Sequence, residues 1–217
     1  MTYPNAYRGM KKIFAAEIIA IAIAVLGVVT AILSVLPAAK EENSPLILVL
    51  GVFALILGIA AIVGFIIQLI GIIQCSRDEG GFRAALFLIV LSIVLNLLST
   101  ILDGLKVDWG MGKPIVESLG NVATLIATVF IFLGIGSLAI SLRNEAMARR
   151  ARFLAFVTIG LYALSIILTI IPRLIPNPNE GAVAVLNALL VTGSVLEVIV
   201  YIITVIFFFR AVKMLKN

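Results

Sequence analysis

Six stretches of this sequence, 13–36, 46–74, 85–102, 115–141, 153–171 and 183–209, are almost free of charge, and that constrains the fold more than any motif. A helix needs about 20 apolar residues to cross a hydrocarbon core about 30 Å thick, and each run comes close to that length or exceeds it. Within lipid every backbone N–H and C=O must find its partner inside the protein, which leaves helices or a closed barrel. Barrel strands are about 9–11 residues long and alternate in polarity. These runs are longer and do not alternate. The composition agrees, with 63% hydrophobic and 12% charged residues, against about 45–50% and 25% in soluble domains. The expectation is an all-α polytopic membrane protein, a six-transmembrane-helix bundle forming a single integral domain over residues 1–217.

Turn chemistry separates the runs, as in "PAAKEENSP", "SRDEGG" and "PRLIPNPNE". Pro45 and Pro114 stand where a first helical turn tolerates proline, and Pro172 is expected to close the fifth helix. The first run is longer than the roughly 7–15 apolar residues of a cleavable signal, so it is expected to remain as a transmembrane helix.

Lysines and arginines sort by side. Arg8, Lys11, Lys12, Arg77, Arg83, Arg143, Arg149, Arg150, Arg152, Arg210, Lys213 and Lys216, twelve in all, fall on one face; Lys40, Lys106, Lys113 and Arg173, four, fall on the other. The positive-inside rule then puts both termini in the cytoplasm of a cell-membrane protein. The lipid bilayer is the first partner expected, with anionic lipid at the basic cytoplasmic face. Nucleic acid is not expected despite the net charge of +5, because the basic residues sit in short loops between apolar runs. The lone cysteine, Cys75, excludes an intrachain disulfide, and the absence of histidine removes the commonest general base and metal ligand.

Polar residues interrupt the apolar runs at regular steps. Ser92, Asn96, Ser99 and Asp103 follow at intervals of four, three and four, one stripe on helix 3 at about 100° per residue. At an offset of 66 residues (92 to 158), Thr158, Tyr162, Ser165 and Thr169 take the same places on helix 5, and "RDE" at 77–79 meets "RNE" at 143–145. Helix 4 carries Glu117, Asn121, Thr124 and Thr128 at the same steps. Helices 2–3 and 4–5 are therefore expected to form a parallel hairpin repeat. Helix 2 has two small-residue faces, Gly51–Ala54–Gly58–Ala61 and Ala60–Gly64–Gly71, so it is expected at the centre, packed on both.

The stripes allow two readings. One is packing, through hydrogen bonds between helices or back to a helix's own carbonyls. The other is a polar cavity between helices 3, 4 and 5, opening outward at a candidate vestibule of Asp103 and Glu117. Glu197 is the sharpest feature. It lies 17 residues past Glu180 and 13 before Arg210, near the bilayer midplane at about 1.5 Å per residue. No Lys or Arg occurs within any run, so Glu197 should face the interior, either as a proton-, cation- or substrate-binding group or as a neutral packed acid. The candidate intramembrane polar site is Glu197 with Asn96, Asn121, Gln68 and Tyr162. Glu17, five residues past Lys12, is expected near the cytoplasmic interface, accommodated by snorkelling.

Enzymatic turnover is not expected: no histidine, metal-ligand cluster, activated nucleophile or large extramembrane domain is present, and no cofactor or metal is implied. By elimination the first reading is an accessory, scaffold or interaction subunit, partnered by another membrane protein or by further copies of itself. The alternative is a small transporter, channel or substrate-binding subunit for a proton, cation or small amphiphile, using Glu197 and the stripes of helices 3–5. In helix count, size and the Ala16–Ala20–Ala24 spacing of helix 1, the chain is similar to the substrate-capture subunits of energy-coupling-factor vitamin transporters. The resemblance covers architecture and that one spacing. It implies a substrate-binding membrane subunit and, without the family's loop motifs, carries over no binding residue.

Overall fold

In a computed structural model the chain forms six α-helices: α1 Pro4–Ser34, α2 Pro45–Cys75, α3 Gly80–Gly104, α4 Gly112–Ser141, α5 Glu145–Leu174 and α6 Glu180–Lys216. The structure describes residues 2–34, 45–104, 112–174 and 180–216; for residues 46, 103, 113, 114, 168–174, 180–187 and 190 the helical backbone alone is described. All six helices are long and apolar enough to cross a membrane.

The helices outrun the apolar stretches. α1 starts at Pro4, well before residue 13, and α5 starts at Glu145, taking in the basic run that the sequence reading assigned to a loop. α5 also continues through Pro172 to Leu174 instead of ending there.

The connections at 76–79 and 142–144 are correspondingly tight. After α4, Arg143 N–H donates to the Ile140 carbonyl at 2.9 Å and Asn144 N–H to the Ala139 carbonyl at 2.7 Å. Arg143 takes φ 56°, the left-handed position that glycine usually fills in this Schellman-type ending. Asn144 then caps α5, its Oδ1 accepting from Met147 N–H at 3.1 Å. The aligned "RDE" turn does something different. The Asp78 carboxylate accepts from Asn5 Nδ2 at 2.9 Å and from Ala6 N–H at 2.7 Å, so it caps α1 rather than its own hairpin.

Contacts follow chain order, and α6 returns to α1, closing the six helices into a ring. Glycines set the tightest crossings. A Cβ on Gly71 would lie 2.8 Å from the Gly9 carbonyl oxygen of α1, and one on Gly81 of α3 would lie 3.1 Å from the Gly134 backbone of α4. Helix α2 is not central. Its Gly64–Gly71 face packs on α1, whereas Gly51 and Gly58 meet nothing within 4 Å. The physical reason is complementarity: α1 offers a small residue to match, while α3 sets its own close-approach glycine against α4.

The buried core gathers at one end of the ring, around Met10, Ile13, Cys75, Phe82, Ile135, Leu138, Met147, Phe208 and Leu215. Phe132 meets Phe207 edge-on at 5.8 Å and stacks with Phe208 at 6.0 Å. This end also carries the N-terminus of α1, the C-terminus of α6 and both tight turns, and is called the basic end below. Toward the opposite end, the flanks of α1, α2 and α6 are exposed and the ring opens. On the outside Phe156 is 75% and Phe87 70% exposed, bare surface suited to acyl chains and not to water. The chain has the make-up of a multi-pass integral membrane protein.

Candidate functional site

Among the described residues, three adjoining, partly open cavities lie between the helices on the far side of the core from the basic end. The first, about 420 Å³, lies between α1 and α2 and is bordered by Tyr201 of α6. The second, about 260 Å³, is lined by Glu17, Gln68, Thr128, Thr158, Glu197 and Tyr201 among others. The third, about 330 Å³, lies between α4, α5 and α6, with Asn121, Thr124, Tyr162, Ser165 and Glu197 in its wall. The first two share Glu17, Gln68 and Tyr201; the last two share Thr128, Thr158, Leu161 and Glu197. They form one tract across the bundle.

The helical register explains who reaches it. On α6, Glu197, Tyr201, Thr204 and Phe208 follow at four, three and four, and all four line the second cavity. On α4 the same steps set Asn121, Thr124 and Thr128 along the third cavity, Asn121 and Thr124 exposed to it, while Gly120, Ala123, Ala127 and Gly134 turn to the buried side. On α5, Thr158, Tyr162 and Ser165 do likewise. Of the candidate set, the structure brings Glu197, Asn121 and Tyr162 together in one wall and Glu197 and Gln68 in the next.

Asn96 is placed elsewhere. Its Nδ2 donates to Ser92 Oγ at 3.3 Å, and its amide lies over Gly120, where a Cβ would stand 3.2 Å from Asn96 Oδ1. Ser92 and Thr124 share a hydroxyl hydrogen bond of 2.7 Å, and Ser99 Oγ donates to Glu117 Oε1 at 3.3 Å. The helix 3 stripe is thus a seam with α4, and the cavity expected among helices 3, 4 and 5 sits among α4, α5 and α6 instead. Close approach at Gly120 and Gly134 leaves no room between α3 and α4. Glu117 belongs to that seam, and the side chain of Asp103 lies outside the described residues, as does that of Thr169.

The residue the sequence reading undervalued is Glu17. It faces inward, and Tyr201 Oη donates to its Oε2 at 2.9 Å and to its backbone carbonyl at 3.3 Å. With α1 beginning at Pro4, Glu17 stands about 20 Å along the helix, at ~1.5 Å per residue. The signal was present: extending the four-three-four steps from Glu197 along α6 reaches Tyr201, whose phenol then needs an acceptor on a neighbouring helix.

The tract therefore holds two carboxyl groups, two amides, two phenols and several hydroxyls among Phe65, Ile131, Phe132 and Phe208, and among the described residues neither Lys nor Arg lines it. Among the described residues no group of three or more His, Cys, Asp or Glu is placed to hold a metal ion. Acidic groups without a cationic partner, walled by aromatic and aliphatic surface, suit a positively charged guest of mixed polarity. In comparisons with protein-family models, curated proteins and solved structures, nothing matches this chain.

Proposed function

We propose that this protein binds a small organic cation within the membrane and serves as its transporter or capture subunit, without chemical turnover. The observation that supports this is a tract containing both Glu17 and Glu197 with, among the described residues, no Lys or Arg in its wall. Glu17 is half-buried and Glu197 is exposed along the open tract; at membrane depth a carboxylate without a cation is unfavourable, so a cationic guest or a proton supplies the missing charge. The same reading has the protein in the cell membrane with both termini cytoplasmic, supported by the twelve-to-four division of Lys and Arg. A parallel repeat of α2–α3 and α4–α5 is supported by the shared polar steps of α3 and α5.

Tetraphenylphosphonium is a suitable probe. Purified protein should bind it saturably, and proteoliposomes should accumulate it. A carboxylate about 4 Å from a cation is worth about 4 kcal/mol at an effective dielectric near 20, so Glu197→Gln and Glu17→Gln should each weaken binding by at least about tenfold. Equal affinity in wild type and both variants removes the acids from the function.

An accessory role is favoured by a separate observation: Gly51 and Gly58 of α2 present a small-residue face with nothing packed on it. A membrane protein co-purifying from native membrane in mild detergent, and lost on Gly58→Leu, would support that reading over transport.

A further inference from the structure

The basic end carries a second cleft, separate from the interior tract. Asn144, Met147 and Arg150, from the α4–α5 turn and the start of α5, face Arg210, Lys213 and Met214 of α6 across about 260 Å³. Among the described residues three cations line it and no acid does, Glu145 standing next to it between Asn144 and Ala146. Arg210 and Lys213 share one side of α6, three residues apart, while Arg150 comes from another helix, so the charges converge on one space. Like charges held around a common cleft repel unless an anion lies between them. The first turn of α5, which also carries Glu145, brings the positive end of its dipole to this place, while the last turn of α6 brings the negative end of its own. All three cationic side chains are exposed and reachable.

Depth indicates the source of the anion. Glu197 is near the middle of the 37-residue α6. Arg210 lies 13 residues further on, about 20 Å along the axis, against a hydrocarbon half-thickness of about 15 Å. That puts the cleft at the level of lipid headgroups. Met147 and Met214 give it an apolar side suited to a glycerol backbone.

We propose that this cleft is a phosphate site, occupied by the headgroup phosphate of an anionic lipid. Two guanidinium groups and an ammonium are the donors that phosphate oxygens select, a chemistry shared with free phosphate. The site is independent of the cation-binding tract, so either can fail without the other.

The test uses full-length protein in detergent. Retention of phosphatidylglycerol and of phosphatidylcholine is read by native mass spectrometry, with inorganic phosphate in a separate thermal-unfolding arm. Wild type should retain phosphatidylglycerol preferentially. Arg150→Gln/Arg210→Gln should lower that retention by at least about tenfold, as expected for lost charge-assisted hydrogen bonds. Lys11→Gln/Lys12→Gln makes the same change in net charge outside the cleft and should lower it less than about twofold. The single Arg150→Gln leaves α6 intact; eluting as wild type in size exclusion while losing retention, it would exclude a folding defect as the cause. Equal losses in both double variants would overturn the site, leaving only diffuse attraction to a basic surface. Protection by inorganic phosphate without preference for phosphatidylglycerol would overturn the lipid assignment.

Discussion

Tyr201 and Glu17 show how one pair of side chains ties two helices that are far apart in sequence. The phenol closes the α1–α6 seam and holds the Glu17 carboxyl in the tract. Interhelical hydrogen bonds in membranes average about 0.6 kcal/mol with a maximum near 1.7. Tyr201→Phe should therefore cost about 1 kcal/mol in reversible unfolding from mixed micelles. Arg143 offers a cleaner test, because its φ of 56° is a property of the backbone. A β-branched side chain is strained there, so Arg143→Val should be less stable than Arg143→Gly by about 1–2 kcal/mol in the same assay. Equal stability would mean that the turn relaxes to another conformation. At this scale the sequence was only partly legible. Glu197 stood out because no cation lies near it along the chain, but Glu17 was masked by Lys11 and Lys12, which precede it by a turn or more. Nearness in sequence was a poor guide to which way it points.

Among the elements, polar spacing and small-residue spacing turned out to do different jobs on different helices. Thr100, Thr128, Thr158 and Thr192 each donate to the carbonyl four residues back on their own helix. Ser92 with Thr124 and Ser99 with Glu117 bridge α3 to α4. Both uses produce the same interval, since both follow the helical period, so the interval could not separate seam from cavity. The glycines of α2 pose the same ambiguity and resolve it by contact. Gly71→Val puts side-chain atoms onto the α1 backbone and should cost about 1–3 kcal/mol through overpacking. Gly58→Ala meets nothing and should be neutral or stabilising by up to about 1 kcal/mol. Unfolding in mixed micelles separates the two, and a similar loss in both would mean that α2 is packed on each face after all.

The whole molecule is a ring of six helices, tightly filled at its basic end and open beyond the core. Water access should follow that shape. Cys75 is fully buried, so the native chain offers no reactive thiol and single cysteines can be added directly. Ala61 lines the first cavity, whereas Ile59, two residues away and about 160° round the helix, is 55% exposed on the opposite side. Ala61→Cys should react with a membrane-impermeant maleimide, and Ile59→Cys should not. Reversed labelling would put the tract in contact with lipid. Sequence alone determined that there are six helices and roughly where each lies, because hydrocarbon leaves a polar backbone few ways to satisfy itself. Only the tertiary structure decided which faces meet, and so which acids share a cavity. Lipid is as apolar as leucine, so hydrophobicity does not tell a helix its inside from its outside, and that choice falls to close approach at a few glycines and to hydrogen bonds between distant residues.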